Sequence, residues 1–112
     1  MIKVNDENRN YSDFYGRIKQ LKQDGNSAYM VVARDDSNES FIIHITHLKY
    51  PKPDDQNPKF YILVCDGNLI LNTTPIKIIK RVTLEIRCPQ PYNPDMPLNP
   101  SRIADAQVYI LF

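Results

Sequence analysis

Two histidines, two cysteines and two clusters of carboxylates are the residues of this chain whose types could do chemistry. His44 and His47 stand three apart in the stretch SFIIHITHL, Ser40 to Leu48. On a helix, H-x-x-H can begin a metal site. On a strand, residues three apart point to opposite faces. Zinc takes three or four protein ligands with supporting contacts behind them, and no Cys or His cluster completes such a set. Cys65 and Cys88 share no C-x-x-C spacing, so two reduced thiols or one disulfide both satisfy the sequence. Asp35, Asp36 and Glu39 crowd one turn, and Asp54-Asp55 lie in a proline-rich stretch; both patterns read as solvated surface. No G-x-S-x-G elbow, P-loop or H-x-E…C-x-x-C arrangement is present. The sequence therefore assigns no catalytic residue, no cofactor and no metal, and the expectation is a protein that is not an enzyme.

The elements that position these residues are strands. In SFIIHITHL, Phe41, Ile43 and Ile45 alternate with Ile42, His44 and Thr46, which predicts one core face and one outer face carrying a histidine. Phe14 to Lys22 alternates in the same way, with Phe14 and Ile18 opposed to Tyr15, Arg17 and Lys19. Gln23 to Ser27 (QDGNS) and Asp35 to Glu39 (DDSNE) read as turns, with Ala28 to Arg34 as the strand between them. These three strands form an antiparallel meander. Tyr50 to Lys59 holds three prolines and reads as a loop. Phe60 to Cys65 and Asn68 to Asn72 are apolar runs joined by Asp66-Gly67, a hairpin signal. Ile76 to Arg87 is a long strand pattern broken at Lys80-Arg81. Pro89 to Pro100 holds five prolines and reads as an extended loop. Ile103 to Phe112 closes the chain as a strand.

The chain has 112 residues, 42% hydrophobic and 24% charged, with a formal net charge of +1. That suits one soluble domain, residues 1–112, large enough to bury a core. The charge balance is too even to argue for nucleic acid or membrane, so any basic surface is local. The polar start MIKVNDENRN lacks an apolar leader, and no stretch reaches membrane-span length. The expectation is an intracellular protein, cytoplasmic or nuclear, with no membrane contact and with residues 1–10 flexible. Five to seven strands and little helix in so short a chain favour an all-β fold, a small five-stranded OB-like barrel.

Several stretches resemble a cold-shock domain. GRIKQLK, Gly16 to Lys22, is similar to that family's first strand, G-x-V-K-W-F-N. SFIIHITHL is similar to its D-V-F-V-H-F-S-A-I motif, with Ile42 at the stacking Phe and His44 at the His. KRVTLEIR, Lys80 to Arg87, resembles its fourth strand, and ADAQVYIL, Ala104 to Leu111, its closing strand. Gln20 stands where the family has Trp. NSAYMVV replaces the second-strand K-G-F-G-F-I, with Tyr29 at one Phe and Ser27 at the other. Residues 49–79 occupy the place of a shorter link between strands three and four. The resemblance thus implies a cold-shock-like barrel with an inserted β-hairpin there.

What it implies for function is single-stranded nucleic-acid binding, in which bases stack on flat side chains and phosphates meet Lys or Arg. In family register Arg17, Lys19, Tyr29 and His44 would be cross-strand neighbours, with Tyr15 and Lys22 at the margins. The expected function is a module for single-stranded RNA or DNA, of modest affinity because part of the aromatic platform is missing, acting within a larger assembly. The alternative is a protein-interaction barrel that has lost nucleic-acid binding and associates, with itself or a partner, through the Phe60–Leu71 hairpin.

Overall fold

Period-two alternation over long stretches builds this molecule almost entirely from strands. The computed structural model describes residues 9–24, 27–71 and 75–112. Among them run six strands: β1 (Phe14–Asp24), β2 (Ser27–Arg34), β3 (Ser40–Pro53), β4 (Phe60–Leu71), β5 (Lys77–Pro89) and β6 (Gln107–Leu111). One short helix, α1 (Pro100–Ile103), precedes β6, with Asn99 capping its start by accepting from the Ser101 amide. Each strand pairs antiparallel with its neighbours in sequence, and β6 returns to β1, closing the barrel. No described helix is long and apolar enough to cross a membrane.

The barrel has six strands, not the expected five, because Asp66-Gly67 does not turn. Phe60–Leu71 is one continuous strand, paired with β3 on one side and β5 on the other. Among the described residues there is no inserted hairpin, and β4 is part of the barrel wall rather than an addition to it. The glycine serves close approach: a Cβ at Gly67 would stand 2.8 Å from the His44 carbonyl oxygen. A residue that needs no side-chain space between packed backbones mimics a turn signal in the sequence.

Residues 50–59 also depart from a simple loop, since β3 continues through Pro51 to Pro53. β2 pairs with β3 only as far as Ile45, so the last part of β3 has a neighbour, β4, on one side alone. Proline is tolerated there because a missing N–H on an unpaired edge breaks no ladder bond. The result is an edge arm, residues 50–53 of β3, held by β4 alone, while β4 itself stays paired with β5 there. At the other end of the chain Ile103 belongs to α1, so the closing strand begins at Gln107.

The barrel is filled by inward residues of every strand, among them Ile18, Met30, Val32, Phe41, Ile43, Leu63, Leu84, Ile86, Val108 and Ile110, all essentially without exposure. Phe14 packs its ring on Phe41 at 4.9 Å between centroids. Cys65 and Cys88 are free and buried in the same core. Burial pushes the Cys65 thiol up to about 12 and the Cys88 thiol up to about 11.

Candidate nucleic-acid interface

The outer surface is set by register, because residues opposite one another on neighbouring strands share a face. Tyr29 pairs with His44, and Lys22 pairs with Tyr29. His44 in turn faces Asn68, and Asn68 faces Arg81. Lys22, Tyr29, His44, Asn68 and Arg81 thus form one row across five strands. Two residues along β1 to β4, and three along β5 because of its register shift, lies a second row: Gln20, Val31, Ile42, Ile70 and Ile78. The rows are about 7 Å apart, given a rise of about 3.3–3.4 Å per residue. One row is polar and basic at its ends; the other is apolar apart from Gln20.

Between and beside these rows is a cleft of about 210 Å³ lined by Gln20, Lys22, Tyr29, Met30, Val31, Ile42, Ile70 and Ile76. Ile70 is buried although it lies outside the barrel core, while Ile76 and Ile78 are more than half exposed. Tyr29 contributes to the cleft, and His44 covers one face of its ring, the two centroids 4.5 Å apart and the planes 16° from parallel. His44 is therefore a partner of Tyr29 more than a separate platform. Its Nε2 is buried and has no hydrogen-bond partner among the described residues.

Arg17 and Lys19 do not join this row. Arg17 pairs with Ala33, four residues along β2 from Tyr29, or about 13 Å at strand rise. Lys19 falls at the register shift between Ile18 and Gln20, a bulge that turns it toward the α1–β6 connection. There Lys19 Nζ lies 3.0 Å from Asp105 Oδ1, and Arg17 Nη1 donates to the Asp105 carbonyl at 3.1 Å. Asp105 holds a left-handed conformation, φ 63°, which Asp tolerates better than most residues. Tyr15 pairs with Tyr109 on β6, their rings 4.3 Å apart. The six expected site residues form two patches: Lys22, Tyr29 and His44 in the row, and Tyr15, Arg17 and Lys19 further along β1.

The sequence reading missed Asn68, Arg81, Ile70 and Ile76. The first three were hidden by the false hairpin, which took β4 and β5 away from this face. The break at Lys80-Arg81 was the available signal: it coincides with the register shift at which Leu69 faces Lys80 and Ile70 faces Ile78.

The electrostatics distinguish this face from its surroundings. Elsewhere several cations meet carboxylates: Arg9 with Glu39, Arg34 with Asp36, Lys49 with Asp66, Lys52 with Glu85 and Arg87 with Asp54. Among the described residues no carboxylate pairs with Lys22, Lys80 or Arg81. His47 lies beyond the bulge of β3, exposed and opposite Asp66. No three His, Cys, Asp or Glu among the described residues converge on a point where a metal would sit. Set against family models, curated proteins and solved structures, the chain finds no match.

Proposed function

We propose that this chain is a binding module for single-stranded nucleic acid, RNA or DNA, of modest affinity and working within a larger assembly. The observation that carries the reading is the row Lys22–Tyr29–His44–Asn68–Arg81, which puts an aromatic pair between cations that no described carboxylate neutralises. Aromatic contact with bases and cationic contact with phosphates are the two requirements of such binding. Tyr15, Arg17 and Lys19 extend the contact surface along β1, with Asp105 competing for the two cations. The register supports the reading in part: His44 opposes Tyr29, while Arg17 and Lys19 stand apart from them. The connectivity is less alike: an OB barrel is a Greek key, whereas these strands pair in sequence order around the barrel.

The test is fluorescence anisotropy with labelled single-stranded RNA and DNA of mixed sequence at low and moderate salt. Saturable micromolar binding that weakens with salt is the expected result. No binding at tens of micromolar protein, even at low salt, overturns it. A second reading, a protein-interaction barrel, draws on the exposure of Ile76 and Ile78. It would act through that patch, since Phe60–Leu71 is paired on both sides and offers no edge to a partner strand. It predicts a dimer or hetero-complex that Ile78→Ser dissolves in sedimentation experiments.

A further inference from the structure

We infer that the bound strand crosses the barrel perpendicular to the β-strands, its phosphates along the Lys22-to-Arg81 row and one base lodged in the apolar cleft. This rests on the proposed function and adds to it a path, a pocket and a new contact pair, Lys80 and Arg81. The two rows supply the reasoning. A ligand that satisfies both must carry negative charge on one side and an apolar body on the other, about 7 Å apart at strand rise. A nucleotide strand has that form, with anionic phosphates flanking flat bases.

The cleft is suited to one ring system. At about 210 Å³ it is smaller than the roughly 300–1,000 Å³ of pockets that take drug-sized ligands. Val31, Ile42, Ile70 and Ile76 offer apolar contact to a base, and Tyr29 a ring wall. Gln20, exposed at the β1 end of the apolar row, carries both donor and acceptor groups to meet a base's polar edge. Basic side chains stand at both ends of the polar row, Lys22 on β1 and Arg81 on β5, with the exposed Lys80 next to Arg81 in the chain. With strands about 4.8 Å apart, the path along the barrel wall from Lys22 to Arg81 is about 19 Å across four gaps, a span for several phosphates and not for one. Charge favours an anionic strand here over a basic or neutral segment.

The experiment uses the full chain and labelled single-stranded oligonucleotides of about eight nucleotides, within the site sizes of small single-strand-binding barrels. A single abasic residue is moved along the oligonucleotide. One central position is expected to weaken binding by about fivefold or more, the effect of losing one stacked base. Ile76→Ser, at an exposed position that leaves folding intact, should weaken the intact oligonucleotide by a similar factor and leave the abasic one unchanged. Lys80→Ala with Arg81→Ala should flatten the salt dependence by roughly 1.4, or about 0.7 per phosphate contact. If oligonucleotides bind but neither variant nor any abasic position matters, the cleft assignment falls and the proposed function stands. If no oligonucleotide binds, both fall. An acidic peptide that binds with the same Ile76 dependence, while oligonucleotides do not, gives the cleft to a protein partner and overturns the inference.

Discussion

Two outer faces of this barrel are built from the same kinds of residue and differ in how their charges are arranged. On one, between the β3 edge arm and β5–β6, Lys52 meets Glu85 at 3.1 Å and Arg87 meets Asp54 at 2.7 Å, while Arg87 also covers the ring of Phe60. These pairs, with Tyr15 and Tyr109, line a cleft of about 250 Å³ whose charge is spent internally. On the other, Lys22, Lys80 and Arg81 surround isoleucines and valine with no described carboxylate among them. Lys and Arg thus do different jobs on the two faces. The first face holds the arm to the barrel; the second leaves its positive potential unmatched among the described residues.

Four measurements would break or sharpen that contrast. The largest effect is expected from Phe41→Ala, which empties the centre of the barrel and should cost about 3–5 kcal/mol in urea unfolding. It should abolish both faces together, because neither exists without the register. Gly67→Ala comes next, at about 1–3 kcal/mol, since the added methyl meets backbone and not a flexible side-chain end. As His44 and Asn68 flank that contact, oligonucleotide affinity should fall further than stability alone explains. Arg81→Ala with Lys22→Ala should weaken oligonucleotide binding by roughly tenfold and shift stability by less than about 0.5 kcal/mol, the usual range for surface changes. Arg87→Ala should do the reverse, loosening the arm in hydrogen exchange with affinity unchanged. If the two variants behave alike in both assays, the contrast between the faces is empty.

The smallest effect concerns acid. The Asp54 carboxyl is held below the ordinary carboxylate range, first by the Gln56 amide and then by the Arg87 guanidinium. Glu39 is held low by Arg9. A lowered folded-state pKa gives stability that is present above the ordinary range and lost as pH falls through the folded value. Stability should therefore decline below about pH 4, and Asp54→Asn should flatten part of that decline.

Much of the wall was legible in the sequence, and for a simple reason. β1, β2 and the first half of β3 alternate apolar and polar residues with turn residues between them, so local pattern and final structure agree. The break at Lys80-Arg81 was also visible and marks a true register shift. What misled were residues with two physical uses. Asp66-Gly67 has turn chemistry, yet Gly67 is there because the His44 carbonyl oxygen and the side chains of Ile43 and Leu84 leave no room for a Cβ. Pro51 and Pro53 read as loop, yet they occupy an unpaired strand edge. Half of the candidate site, Lys22 with Tyr29 and His44, follows from aligning the first three strands. The other half needed β4 and β5 in place, because a surface row exists only once register is known. The bulge at Lys19 was not legible either, and it separates Lys19 and Arg17 from the row.

The closing pair of strands has one more consequence. Phe14 faces Ile110, Tyr11 stacks on Phe112 at 5.1 Å, and the Phe112 amide donates to Asp13. The two ends of the barrel meet beside Phe14 and Ile110, about eight residues along β1 from Lys22. Such a unit can be spliced into a surface loop of a host protein through a single point of attachment, its binding face left outward. For the same reason, a version joined from Phe112 to Tyr11 by a short linker and opened between Asp55 and Pro58 should keep all six strand pairings in a chain that begins in the middle.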